Sequence, residues 1–194
     1  MPPPRFALAL ALLSVFTLWI TWRAKTLEGG LHLEGRESAL YNKPAPAFSL
    51  STLDGHPVSL AEFHGKQNLV VTFWASWCGP CQMELPVLKA FYQKAHAARG
   101  DFEIVAISID DDLADAEKAA HKLALPFPVL YDAGQKTATA YSVSAIPAMF
   151  IVDKTGKVIF ANLGFNAGLE FLLAQQLGID NQVLMKGTNV DAGN

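Results

Sequence analysis

Cysteine is nearly absent from this chain: 194 residues hold two, Cys78 and Cys81. That excludes a framework of structural disulfides. A link three residues long restricts the unfolded chain little, so the pair is not explained as a staple. A structural zinc site needs four ligands, and the five scattered His supply no spaced pair to complete one. Haem attachment would need His directly after the second Cys, where residue 82 is Gln. Positive charge is scarce too. From Pro44 onward 10 Lys and Arg face 15 Asp and Glu, and an acidic domain of this kind will not track nucleic-acid phosphates. Uncharged apolar runs long enough for a membrane are missing with one exception, so a polytopic membrane protein is excluded.

The exception is Phe6 to Trp22, seventeen residues without a charge between Arg5 and Arg23. As a helix it would span roughly 25 Å, near the lower limit for a bilayer. A cleaved signal peptide is the rival reading, but such a segment ends in small residues. Here the run ends in Trp19-Ile20-Thr21-Trp22-Arg23, and tryptophan suits the bilayer interface. Residues 1–23 are therefore expected to be a signal-anchor, with a tether over 24–43 that contains Gly29-Gly30 and mixed charges. A short basic tail before one apolar segment is the pattern of export, which puts the rest of the chain outside the cytoplasm.

The domain proper is expected over 44–178. Phe48 to Leu53, the turn Asp54-Gly55 and Val58 to Leu60 alternate like a β-hairpin. Leu69 to Trp74 is an apolar run of a buried strand, followed by a helix from about Cys81 to Arg99 that ends at Gly100 and contains Pro86. Phe102 to Ile109 reads as a second buried strand, Ala114 to Leu123 as a helix, 126–131 as an extended piece and 136–141 as a short helix. Ala148 to Val152 and Lys157 to Phe160 form a hairpin about Asp153–Gly156, and 167–177 is a last helix. Residues 179–194 read as a polar tail. This alternation implies an α/β fold: a central mixed sheet with helices on both faces.

Chemistry concentrates in Trp77-Cys78-Gly79-Pro80-Cys81. Cys78 leaves a strand and opens a helix, where free N–H groups and the helix dipole favour a thiolate. Cys81 lies one turn further in. One sulfur can attack a disulfide and the second resolve the mixed disulfide, which is what thiol–disulfide exchange requires. Cys78 is the expected attacker and Cys81 the resolving thiol.

Phe73-Trp-Ala-Ser-Trp-Cys-Gly-Pro-Cys81 resembles the active-site segment of the thioredoxin superfamily, and so does Ser144-Ala-Ile-Pro147 before a later strand. The resemblance implies a cis-proline at Pro147, facing the cysteines and lining a substrate groove with Ile146 and Trp77. Within the superfamily the TlpA/ResA-like membrane-anchored branch is similar: it shares the anchor, Pro46-Ala-Phe-Ser-Leu50, a longer insert around 110–125 and Glu84. Members act in the periplasm or its equivalent, anchored by one pass in the bacterial inner membrane. They reduce protein disulfides, apocytochrome c or copper-site partners among the clients, take electrons from a membrane thiol reductase and need no bound cofactor or metal.

The chain departs from cytoplasmic thioredoxins six residues before the first Cys, where Thr72 stands in place of a buried Asp. Threonine cannot accept the resolving thiol's proton, and Glu84, one turn from Cys81, is the expected substitute. Spacing alone would also allow a solvated surface Glu. Trp77 is expected on the docking surface, with a packing aromatic as the alternative. Gly79 and Pro80 resemble reducing members, since oxidising ones carry Pro-His there. Ala148 replaces the Glu that often follows the cis-proline in cytochrome-maturation proteins. Asp110-Asp111-Asp112 reads as a helix cap and solvated acid run before a calcium site. The first reading is a protein-disulfide reductase. A client-docking or copper-handling module, a disulfide oxidase or isomerase, and a peroxiredoxin-type peroxidase are the alternatives.

Overall fold

A computed structural model describes residues 38–186 together with Phe16, Thr17 and Trp19. The chain separates into two units, Met1–Glu34 and Gly35–Asn194. The three described residues of the first unit are helical; the rest of the expected anchor, and the expected tether up to residue 37, lie outside the described residues, whereas the end of the tether joins the domain, with Asn42 N–H donating to Val158 O and Val158 N–H to Lys43 O. Among the described residues no helix is long and apolar enough to cross a membrane.

The second unit is built on a seven-stranded mixed sheet in the order β2-β1-β5-β4-β3-β6-β7. The hairpin read in the sequence is β1 (Ser49–Thr52) and β2 (Pro57–Ser59), antiparallel, and it joins the sheet through β5 (Val129–Tyr131). The centre is β3 (Asn68–Trp74), parallel to β4 (Phe102–Ser108) and antiparallel to β6 (Ala148–Val152). Flanked on both sides and covered on both faces, β3 is buried from Leu69 to Trp74, which is why its sequence is a continuous apolar run rather than an alternation. β7 (Val158–Leu163) closes the far edge against β6.

The first long helix, α1 (Gly79–Arg99), starts two residues earlier than the sequence suggests and runs unbroken through Pro86. Gly100 ends it with φ 63°, a left-handed conformation that glycine adopts without a Cβ penalty. The remaining helices are α2 (Leu113–Leu123), α3 (Lys136–Ala140), α4 (Leu169–Leu177) and α5 (Asn181–Lys186). α1 lies on the sheet face bearing Thr72, whose hydroxyl reaches it. The opposite face carries Phe73 and Phe150, and Tyr141 at the end of α3 packs against both, with ring centroids 5.3 and 5.1 Å apart. Helices therefore cover both faces.

One expectation needs correction. The stretch from 179 onward is not a polar tail from its start: Ile179 and Leu184 are buried and belong to the core cluster, and α5 packs on α1. Ile179, Val183 and Leu184 recur at helical spacing, and that short apolar stripe is enough to dock a helix of six residues.

Candidate active site

The two cysteines lie where β3 runs out and α1 begins. Ile109 N–H donates to Trp74 O, and Cys78 N–H closes a turn on Ala75 O. Cys78 then serves as the N-cap of α1, its sulfur accepting from Cys81 N at 3.1 Å. Pro80, in the first turn, lacks an N–H where an α-helix has no internal acceptor for one, so it costs the helix no bond. Cys78 and Cys81 are joined by a disulfide with Cα atoms 5.3 Å apart. The structure is thus the oxidised form. Cys81 is wholly buried, while Cys78 keeps 4% exposure; the outer sulfur is the one on the solvent side.

Trp77 is 66% exposed, so it is not the packing aromatic of the alternative reading. Gly79 and Pro80 are exposed beside it. The Ile146–Pro147 peptide is cis, as the resemblance implies. Ala148 pairs with Phe73, so Pro147 sits at the end of the sheet from which the cysteine turn emerges. Pro147 is buried and Ile146 half-buried. Pro147 O accepts from Gly164 N at 2.7 Å, which fixes the exposed Leu163 and Phe165 beside the cis bond.

Glu84 is not a surface residue. It is 1% exposed, on the inward side of α1 one turn beyond Cys81. Thr72 donates its hydroxyl proton to Glu84 Oε1 at 3.3 Å, and Oε2 has no partner. Burial pushes the carboxyl up from 4.5 to about 7, against a smaller downward pull from the Thr72 hydroxyl. A buried carboxyl balanced near neutrality can take and return a proton.

A network of Ser76, Gln82, Ser108 and Asp110 was missed in the sequence. Asp110 is buried, not part of a solvated run; its carboxylate accepts from Ser76 N at 3.0 Å, Ser76 Oγ at 2.7 Å and Ser108 Oγ at 2.8 Å. Gln82 Nε2 donates to Ser76 O at 2.7 Å. Together these tie the turn before Cys78 to the end of β4 and to the first turn of α1. Asp112 is the α2 N-cap, accepting from Ala114 N at 2.9 Å. Nothing local in three successive Asp residues says which one turns inward, so only the position of β4 could single out Asp110.

A groove of about 320 Å³ opens beside Ser76 and Gln82 and runs along Lys118, Lys122 and Leu123 of α2. An apolar pocket of about 310 Å³ around Pro44, Phe63 and His64 lies at the other end of β3, near Leu69 and Val152, away from the cysteines.

Residues 41–171 match the model of the Redoxin family. Among curated proteins the chain is similar to the thiol-disulfide oxidoreductase ResA of Bacillus thuringiensis, 33% identical over 66% of this chain and 73% of that one. Among solved structures it resembles a thiol-disulfide oxidoreductase of Bacteroides fragilis, 28% identical with a TM-score of 0.62 over 70% of this chain and 100% of the other. It also resembles a secreted disulfide oxidoreductase of Mycobacterium tuberculosis, described as homologous to Escherichia coli DsbE. That match is 28% identical, with a TM-score of 0.58, over 68% of this chain and 94% of the other.

Proposed function

The chain belongs to the Redoxin family and is a thiol-disulfide oxidoreductase of the ResA type, and from that premise we propose that it works outside the cytoplasm as a membrane-anchored reductant of protein disulfides. The observation that carries the reading is the Cys78–Cys81 disulfide at the N-terminus of α1 with a buried, near-neutral Glu84 one turn behind it.

In the reduced protein, Cys78 as thiolate attacks one sulfur of a client disulfide. A bond forms from Cys78 to that sulfur and the client's other sulfur leaves as a thiolate. The N-cap position supports this, since α1 presents its unpaired N–H groups and dipole to the sulfur. Cys81 then gives its proton to Glu84 and attacks Cys78. The second client sulfur departs, the client has gained two electrons, and the protein holds the disulfide seen here. Trp77, Ile146 and Pro147 border the cysteines and form the client's docking surface, and the apolar Leu163 and Phe165 extend it. A membrane thiol reductase returns the two electrons. The run Phe6 to Trp22 supports the anchor, and the secreted relative supports an extracytoplasmic site.

The reduction potential of the couple tests the direction of electron flow. Equilibrated with defined dithiol buffers, a reductant gives a value near or below about −250 mV. A value of about −120 to −180 mV would place the protein with oxidases and isomerases and overturn the proposal.

A further inference from the structure

Thr72 stands on β3 six residues before Cys78, and it is wholly buried, as Glu84 nearly is. Its hydroxyl donates to Oε1 of that carboxyl at 3.3 Å, while Oε2 is buried without a partner. The carboxyl is therefore held at one oxygen and open at the other. We propose that Thr72 is a positioning residue of the proton relay, fixing Glu84 through Oε1 so that Oε2 is the oxygen that receives the Cys81 proton.

The inference rests on the reading of Glu84 as that acceptor. In the resolving step the S–H bond of Cys81 breaks, an O–H bond forms at Glu84 Oε2, and the Cys81 electron pair makes the bond to Cys78 as the client sulfur leaves. Hydroxyl donation to Oε1 favours the ionised carboxyl, which is the form that can accept. Among the described residues, no charge on the neighbouring elements competes for this role. β3 and β6 carry no ionisable side chain. On β4, Glu103 is bonded to Tyr92 and faces His96, and beyond its end Asp110 is bound to Ser76 and Ser108. On α4, Glu170 pairs with Lys94. On α2, Asp115, Lys118 and Lys122 are exposed along the groove. Burial raises Glu84, and the Thr72 hydroxyl is the one group that opposes it.

The test uses the reduced full chain and glutathione disulfide. One glutathione leaves when Cys78 attacks and the second when Cys81 resolves, so release of the second reports the relay. The expected rate of that release rises through neutral pH. Thr72→Val keeps the β-branched shape without the hydroxyl; its profile moves up by about one pH unit and its rate at pH 7 falls about fivefold. Thr72→Ala gives the same shift, and Thr72→Ser restores the parent profile. Superimposable Thr72→Val, Thr72→Ala and parent profiles, with Glu84→Gln flattening the rise, would overturn the role of Thr72 and leave the relay standing. A rise that survives in Glu84→Gln would overturn the relay itself, and this inference with it.

Discussion

A carboxyl at 1% exposure with one oxygen unbonded titrates differently in the folded and unfolded chain. For Glu84 the folded value is raised to about 7 from an ordinary 4.5, chiefly by burial. A raised carboxyl binds more protons when folded, so its contribution to stability is fully present below about pH 4.5. It is lost as pH rises through about 7, a loss on the order of 3 kcal/mol. Glu84→Gln should remove that slope, so urea unfolding of the oxidised protein at pH 4.5 and pH 8 should differ less in the variant than in the parent. The two cysteines separate as cleanly. Cys81→Ser leaves Cys78 able to attack but nothing to resolve, so it should accumulate mixed disulfide with a small disulfide substrate, visible as an added mass. Cys78→Ser should form none by the same route.

At the scale of elements, the junction of β3 and α1 is held by a carboxylate from the next strand. Asp110→Ala would leave Ser76 N–H and two hydroxyls without their acceptor and should cost about 3 kcal/mol in urea unfolding. It should also slow the first, Cys78-dependent glutathione release. Asp112, two residues on, only caps α2, and Asp112→Ala should cost about 1 kcal/mol with exchange unchanged. The contrast between the two is the measurement, because both lose one carboxylate from the same acid run. In the sequence these residues look alike. What divides them is that β4 ends beside Ser76, a contact across 34 positions of chain.

At the scale of the molecule, α1 packs on the sheet and is also touched by α4 and α5. The last of these helices belongs to the core through Leu184, which is 9% exposed. Leu184→Ala should lower stability by about 2 kcal/mol by opening a cavity against α1, measured by thermal or urea unfolding, and should leave the reduction potential unchanged.

Much of this protein is set by local sequence. The apolar run of β3, the glycine that ends α1, the Asp54-Gly55 hairpin and the spacing of Cys78 and Cys81 each act within a few residues, through periodicity, φ preference and helix-end electrostatics. The order of the elements along the chain and the exchange chemistry follow from those signals together. Tertiary structure alone decided the rest. Whether Glu84 faced solvent or the interior depended on the face of α1 that packs on β3, and its bond to Thr72 joins residues 12 positions apart. Which Asp turned inward and whether the residues after Gly178 packed depended in the same way on contacts distant in the chain. Burial is a property of the assembled surfaces, and it is burial that carries Glu84 from an ordinary acid to one that exchanges a proton near neutrality.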